Sequence, residues 1–66
     1  MDSKRIGNKL IELRRDITRE TVANDIGISV SALAMYEQGN RVPRDEIKIK
    51  IAQYYGKTVQ EIFFED

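Results

Sequence analysis

Residues 18–39 read TRETVANDIGISVSALAMYEQG, and this stretch predicts two short helices joined at a glycine. Val22, Ala23 and Ile26 are spaced so that they fall on one face of a first helix. Gly27 follows at the position where a helix that ends in a left-handed turn favours a residue without Cβ. The first half of the stretch therefore predicts one helix and the glycine that ends it.

Ser29 stands directly before a second apolar series, Leu33 and Tyr36, where an N-cap hydroxyl is expected. A helix, a short turn with glycine and a capped second helix together form the helix-turn-helix geometry. Helices that cross steeply over so short a turn need a small side chain at the crossing, and Ala23 supplies it. The alternative is a plain helical hairpin inside a small bundle, which would rarely bring all these features into register.

The composition bounds the fold and excludes most chemistry. Sixty-six residues with 41% hydrophobic content make one domain over 1–66, whose core is small enough to gain from dimerisation. The chain has no cysteine and no histidine, so we expect no disulfide, no metal site and no cofactor. Its apolar runs are too short for a signal peptide or a membrane span, which predicts a cytoplasmic protein.

Charge is balanced overall but uneven along the chain. Eleven basic and eleven acidic residues give a formal net charge of zero, which argues against a polycation that coats nucleic acid. Through Arg44 there are eight basic and six acidic residues, and beyond it three basic and five acidic ones. The part up to Arg44 is therefore the better suited to face phosphate.

A first helix is predicted over residues 3–15, with Ser3 as its N-cap. Its buried stripe consists of Ile6, Leu10 and Leu13, with Ile11 flanking. Asp16 and Ile17 form a very short connection, after which Thr18 caps the next helix.

The loop after the second motif helix carries several stop and start signals. Gly39 and Asn40 both tolerate positive φ and end that helix. Pro43 disfavours helix at the residue before it and fits the start of the next helix. Asp45 and Glu46 then lie in a first turn, where acidic side chains complement the helix dipole.

Residues 46–55 carry two conflicting signals. Ile47, Ile49 and Ile51 alternate with lysines, which is typical of a strand, but a lone strand in so short a helical chain has nothing to pair with. Ile47, Ile51 and Tyr55 also keep the four-residue spacing of a helix, which a glycine then ends. The helix is favoured, and it leaves Ile49 partly exposed or against a partner.

A last short helix is predicted over residues 59–63, capped by Thr58. Its inward-facing side chains are Val59, Ile62 and Phe63. Because adjacent residues on a helix cannot face the same core, Phe64 is left exposed or at an interface.

In these features the chain resembles the Xre-like family of bacterial and phage regulators, which includes the lambdoid repressors and Cro. The resemblance covers about residues 6 to 63 and implies an all-α, compact five-helix, lambda-repressor-like domain with its motif at residues 18–39. It is carried by Leu13-Arg14, Ile17-Thr18-Arg19, Val22-Ala23, Gly27-Ile28-Ser29, Leu33, Tyr36-Glu37, Gly39, Pro43, Ile51-Ala52, Gly56 and Ile62-Phe63.

A helix-turn-helix places the start of its second helix in the major groove of DNA, while the first helix lies across the backbone. On that geometry the positions that face base edges are Val30, Ser31, Ala34 and Met35. None offers the bidentate pairing that discriminates bases by about 1–3 kcal/mol each, so we expect modest direct readout, supplemented by groove shape or water. The alternative is an ordinary solvent-exposed face or a protein contact.

Contacts to the DNA backbone or minor groove are expected at both ends of the motif. The candidates are Thr18, Arg19, Ser29, Gln38, Asn40, Arg41 and Arg44. Arg19 stands where the family usually has glutamine, so the resemblance implies a charged phosphate contact in place of a neutral one. It also implies that Arg44, just after Pro43, reaches toward the minor groove. The alternative for Arg41 and Arg44 is solvated loop charge.

The resemblance further implies two structural roles. Arg14 and Glu37 correspond to an arginine and a glutamate that often pair in the family, which predicts an ion pair between the first and third helices. The alternative is that the pair orients Arg14 toward a phosphate. The family commonly dimerises through its C-terminal helix, so the candidate dimer interface is Ile62, Phe63 and Phe64. The alternative for this segment is a frayed tail.

The sequence thus predicts a sequence-specific regulator of transcription that binds double-stranded DNA, most simply a repressor on a pseudopalindromic operator as a homodimer. The alternative is a protein-interaction module of the same fold, such as an antitoxin or an adaptor, with a protein partner. An enzyme is not expected, because the chain has no nucleophile–base pair, no metal-ligand set and no glycine-rich phosphate loop.

Overall fold

Five helices follow one another along residues 2–65, the part of the chain that the computed structural model describes. They are α1 (Ser3–Arg14), α2 (Arg19–Ile26), α3 (Val30–Glu37), α4 (Asp45–Tyr55) and α5 (Gln60–Phe64), the last wound as a π-helix. No strand occurs within residues 2–65, so the all-α prediction is confirmed and residues 46–55 are helical. None of these helices is long and apolar enough to cross a membrane.

The N-cap of α1 is Asp2, so the prediction of Ser3 was wrong. The Asp2 carboxylate accepts hydrogen bonds from the backbone N–H groups of Lys4, at 3.0 Å, and Arg5, at 3.3 Å. A carboxylate can satisfy two of the free N–H groups at a helix start and also complements the dipole, whereas a serine hydroxyl usually serves one. Ser3 is consequently the first helical residue.

The predicted caps of the central pair of helices are confirmed. The hydroxyl of Thr18 accepts from the Thr21 N–H, and that of Ser29 accepts from the Ala32 N–H at 3.0 Å. Gly27 ends α2 in the left-handed region with a φ of 90°, which a residue with a Cβ adopts only at a cost. These local signals set the length and the crossing of α2 and α3.

The connection between α1 and α2 turns at an arginine rather than a glycine. Arg15 has a φ of 53° and a ψ of −124°, and the Ile17 N–H donates to the Arg14 carbonyl at 3.0 Å. This is the conformation of the first central residue of a type II′ turn, which glycine favours. The turn stops α1 at Arg14, one residue earlier than predicted, and Arg15 carries backbone strain.

We expect Arg15→Gly to stabilise the protein by about 1 kcal/mol, since the strain is relieved at a smaller cost in unfolded-state entropy. Urea denaturation of the purified chain measures the change. Arg15→Ala is the matched control, because it removes the same charge but keeps the Cβ, and it should give no gain. Equal stabilisation by both variants would assign the effect to charge and not to the backbone.

The core is built where α1 packs on α3 and α5 and where α2 meets α3 and α4. The buried apolar side chains are Ile6, Leu10, Val22, Ala23, Ile26, Leu33, Tyr36, Ile51, Ala52, Ile62 and Phe63. Leu13 is only partly buried against this core, and Ile11 is 42% exposed. Ile49 is 49% exposed, as the helical reading of α4 predicted.

Gly7 allows α1 to pack directly on the backbone of α3. A Cβ at this position would fall on the carbonyl of Glu37 and within 2.9 Å of the Tyr36 carbonyl oxygen. This role of Gly7 was not predicted, because a glycine inside a helix gives no local sign of a neighbouring backbone. This close approach is what brings the end of α3 beside α1.

The loop from α3 to α4 differs from expectation at two residues. Gly39 has a positive φ of 77°, but Asn40 does not. Pro43 is buried and lies before Arg44, the N-cap of α4, so it does not start that helix as predicted. Its apolar ring packs inward, and the first turn of α4 is instead occupied by the predicted Asp45 and Glu46.

Thr58 and Glu61 close the start of the last helical segment reciprocally. The Thr58 N–H donates to a Glu61 carboxylate oxygen at 2.9 Å, and the Glu61 N–H donates to the Thr58 hydroxyl at 3.1 Å. This is a capping box, so the predicted role of Thr58 is confirmed. Hydrogen bonding from Thr58, chiefly from its backbone N–H, lowers the pKa of the Glu61 carboxyl.

The final aromatic pair corrects the predicted dimer interface. Ile62 and Phe63 are fully buried within the protomer, so they cannot form a surface for a second copy. Phe64 is 52% exposed, with the Lys48 ammonium 5.2 Å from the centre of its ring. Of the three predicted residues, only Phe64 is available to a partner.

Candidate nucleic-acid interface

The outer face of α3 carries the four residues predicted to face base edges. Val30 is 42% exposed, Met35 is 37% exposed and Ser31 is also exposed, while Ala34 is half-buried. The opposite face of α3 is buried through Leu33, Tyr36 and Glu37. The helix therefore lies on the outside of the protein with one face anchored and the other free.

The free face of α3 has an unusual chemistry for a DNA-reading helix. Its sequence, VSALAMYE, contains a single charged residue, Glu37, and that residue is buried. What remains outside is a hydroxyl, small methyl-bearing side chains and a thioether, all of which can approach a thymine methyl or a base edge closely. Attraction to the DNA backbone must therefore come from residues around α3.

Polar side chains surround α3 at both ends. Gln38, Asn40, Arg41 and Arg44 are all exposed in the loop that follows it. The Asn40 amide donates to the Gln38 side-chain oxygen at 3.3 Å, so these two are already in contact. The loop thus presents two cations and a pair of amides beside the end of α3.

The two capping hydroxyls differ in what they have left for a ligand. Thr18 accepts from the Thr21 N–H and also donates to the Thr21 hydroxyl at 3.0 Å, so its proton is already used. Ser29 accepts from the Ala32 N–H, and within residues 2–65 its own proton has no acceptor. Ser29 is the better donor to a phosphate of the two predicted residues.

Glu37 binds both Arg14 and Arg19, and we call these three residues the buried cluster. The Glu37 side chain is fully buried, and Arg14 binds it through Nε at 2.7 Å and Nη2 at 3.1 Å. The Arg19 Nε donates to the same carboxylate at 2.8 Å. The predicted ion pair between Arg14 and Glu37 is thus present, and hydrogen bonding to Glu37 raises the pKa of Arg14.

The bond from Arg19 to Glu37 was not predicted from the sequence, from which Arg19 was expected to contact DNA alone. The two residues are 18 positions apart, and no periodicity links them, so only the packing of α2 on α3 brings them together. In the free protein Arg19 is therefore partly engaged, with its side chain 34% exposed.

The Tyr55 hydroxyl oxygen is buried close to the buried cluster and has no hydrogen-bond partner in residues 2–65. Burial raises the pKa of Tyr55 to about 12, with a further contribution from the negative charge of Glu37. A buried hydroxyl without a partner destabilises the fold, because water is lost and nothing replaces it.

We expect Tyr55→Phe to be neutral or to stabilise the protein by up to about 1 kcal/mol, since it removes the unpaired hydroxyl. Above neutral pH the difference should grow. The unfolded chain releases this proton near the ordinary pKa of 10.0 and the folded chain near 12, so the folded state of the wild type binds more protons between these values. Stability of the wild type therefore falls as the pH rises through this interval, and part of that fall should be absent in Tyr55→Phe.

Denaturation at neutral pH and at alkaline pH measures both effects. Tyr54→Phe is the control, because the Tyr54 hydroxyl donates to Asp25 at 2.9 Å and its removal should give no gain. A clear loss of stability in Tyr55→Phe at neutral pH would mean that the hydroxyl has a partner in solution.

Comparisons with known proteins agree with this geometry. Residues 9–62 match the family model described as helix-turn-helix. Over 57 residues the chain is 37% identical to the cryptic phage CTXphi transcriptional repressor RstR of Vibrio cholerae, an alignment that covers 83% of this chain and 51% of the relative. The chain thus spans about half the length of the curated relative that it matches. No solved structure matches it.

Proposed function

The chain belongs to the helix-turn-helix family of Xre-like and lambdoid-repressor type, and on that premise we propose that it is a sequence-specific regulator of transcription that represses by binding double-stranded DNA. The observation that carries the proposal is the placement of α3, which is anchored on one face and exposes Val30, Ser31 and Met35 on the other. The family consists of DNA-binding proteins and not of enzymes, in agreement with the sequence prediction.

Base readout is assigned to the free face of α3. Val30 and Met35 supply apolar contacts to thymine methyl groups, and Ser31 supplies a hydroxyl that donates to or accepts from a base edge. Ala34, which is small and half-buried, adds at most a methyl contact and allows the helix to approach the groove floor closely. Because no bidentate arginine or glutamine is present, shape and deformability of the site contribute much of the specificity.

Backbone contacts are assigned to the residues that surround α3. Ser29 donates to a phosphate at the start of the helix, and Thr18, whose proton is used within the protein, contributes at most a van der Waals contact. Gln38, Asn40 and Arg41 contact phosphates beside its end, and Arg44 reaches toward the minor groove. Arg19 adds a charged contact from the first turn of α2.

For the predicted homodimer we propose a contact through Phe64, since the side chains of Ile62 and Phe63 are buried within the protomer. A two-fold pair would set the two α3 helices about 34 Å apart, one turn of the duplex, and would read a pseudopalindromic operator. Sedimentation of the wild type and of Phe64→Ala at micromolar concentration tests this, with the wild type expected to be dimeric and the variant monomeric. A monomeric wild type would end the dimer proposal.

A duplex titration tests DNA binding. We expect the chain to bind its own promoter with a log–log salt slope of roughly −5, for about six charged phosphate contacts in a dimer. Ser31→Ala and Met35→Ala should change the preferred sequence, while Arg41→Ala should weaken binding to all duplexes alike. If no duplex competes better than random DNA, the alternative of a protein-interaction module gains support.

A further inference from the structure

In the buried cluster two guanidinium groups share one carboxylate. The cluster therefore has a net positive charge of one. Both Glu37 oxygens are occupied, since Oε2 accepts from Arg14 and Oε1 accepts from Arg14 and Arg19. The Glu37 side chain is fully buried and cannot turn toward solvent to follow either arginine. It therefore acts as a fixed anchor for both.

Arg14 and Arg19 differ in their exposure and in how many of their nitrogens donate hydrogen bonds. Arg14 is 17% exposed, and all three of its nitrogens donate, the third to the Ile17 carbonyl at 2.8 Å. Arg19 is 34% exposed and donates only through Nε. Among residues 2–65 no acceptor meets its two Nη nitrogens. Arg14 thus uses all of its nitrogens within the protein, whereas the two Nη groups of Arg19 remain available to a ligand.

We propose that Glu37 is a positioning residue that holds Arg19 so that both of its Nη groups present a fork to one phosphodiester of bound duplex DNA. The inference rests on the proposed function and extends it to a residue that never touches DNA. A guanidinium fixed at Nε keeps only the edge formed by its Nη groups for a ligand, and that edge can bind two phosphate oxygens together. Holding it in place before binding also removes much of the entropy that a free arginine side chain would lose.

Three variants separate charge from geometry. Arg19→Gln removes the charge, so the salt slope for the promoter duplex should fall by about 0.9 per protomer and the affinity by roughly tenfold. Arg19→Lys keeps the charge but loses the fixed fork, so the slope should stay unchanged while the affinity falls by roughly fivefold. Lys57→Gln, an exposed lysine outside the motif, removes one charge as a control and should leave both unchanged.

A purely structural role for Arg19 predicts a different pattern. Arg19→Gln would then lower the free energy of unfolding and leave the salt slope and the affinity of the folded protein at the wild-type values. That outcome would overturn the inference while wild-type binding to DNA left the proposed function standing. Failure of the wild type to prefer any duplex would instead remove the proposed function itself.

Glu37 is tested through its coupling to Arg19. In the Glu37→Gln background the further change Arg19→Lys should cost no additional affinity, because the anchor is already weakened. If Glu37→Gln does not fold, the ¹⁵N-resolved Nε–H signal of Arg19 in the free wild type decides. A single, slowly exchanging signal before DNA is added supports the inference, and rapid exchange with averaged side-chain shifts would refute it.

Discussion

Gly7→Ala is expected to be among the most destabilising single substitutions in this protein, with a loss of about 2 kcal/mol in the free energy of unfolding. Overpacking typically costs about 1–3 kcal/mol, and here the added methyl meets the Glu37 carbonyl and the Tyr36 oxygen, which belong to a helix backbone and cannot rotate away. Because these atoms are rigid, the cost lies at the upper end of that range, about 3 kcal/mol, and the better helix propensity of alanine returns about 1 kcal/mol of it. The helices α1 and α3 would have to separate.

This loss is large relative to the total free energy of unfolding of the protein. A domain of 66 residues has a total stability of about 3–10 kcal/mol, so this one substitution is expected to remove at least about a fifth of it. Urea denaturation followed by circular dichroism measures the shift. Asn8→Ala, an exposed neighbour on the same helix, is the control and should be neutral or slightly stabilising. Wild-type stability of Gly7→Ala would mean that α1 and α3 are not in close contact in solution.

Glu37→Gln should lower the free energy of unfolding by about 3 kcal/mol, because it leaves two arginines without a counter-charge at a buried position. The Glu37 side chain is fully buried and Arg14 is largely so, which prevents water from replacing the lost carboxylate. The same change should also reduce DNA binding through Arg19. Stability and duplex affinity therefore have to be measured on the same preparation.

Glu20→Gln is the matched control for that experiment. Glu20 is an exposed glutamate in the first turn of α2, and its neutralisation should change stability by less than about 0.5 kcal/mol. High salt should not rescue Glu37→Gln, since buried charges are poorly screened. Recovery of wild-type stability at high salt would indicate that the cluster is solvated and that its charges are surface charges.

Local sequence patterns were sufficient to predict the helices and most of the residues at which they begin and end. Thr18, Gly27 and Ser29 act on backbone groups within a few residues, so their roles can be read without knowledge of any neighbour. The helix at α4 was also correctly chosen over a strand, because a strand needs a partner that the chain does not offer. The error at Asp2 was local as well, because Asp2 was not considered although aspartate and serine both favour the N-cap and the two residues are adjacent.

The candidate site was predictable only in part. Which residues of α3 face outward follows from helical period and from the buried stripe, and the exposed Val30 and Met35 agree with it. The burial of Ile62 and Phe63 and the exposure of Phe64 also followed from the helical period, and the error lay in the dimer interface taken from the family resemblance, which included the two buried residues. The strained φ of Arg15 arises from the shortness of the connection and has no signature of its own.

The sequence by itself determined that this chain folds as five helices with a glycine-linked pair at its centre, because caps, stops and period act over one or two turns. Only the tertiary structure decided that Gly7 seats α1 on the backbone of α3 and that Arg19 shares Glu37 with Arg14. Those contacts join residues 18 to 30 positions apart, and their energy depends on burial and on distances that exist only once the helices have packed.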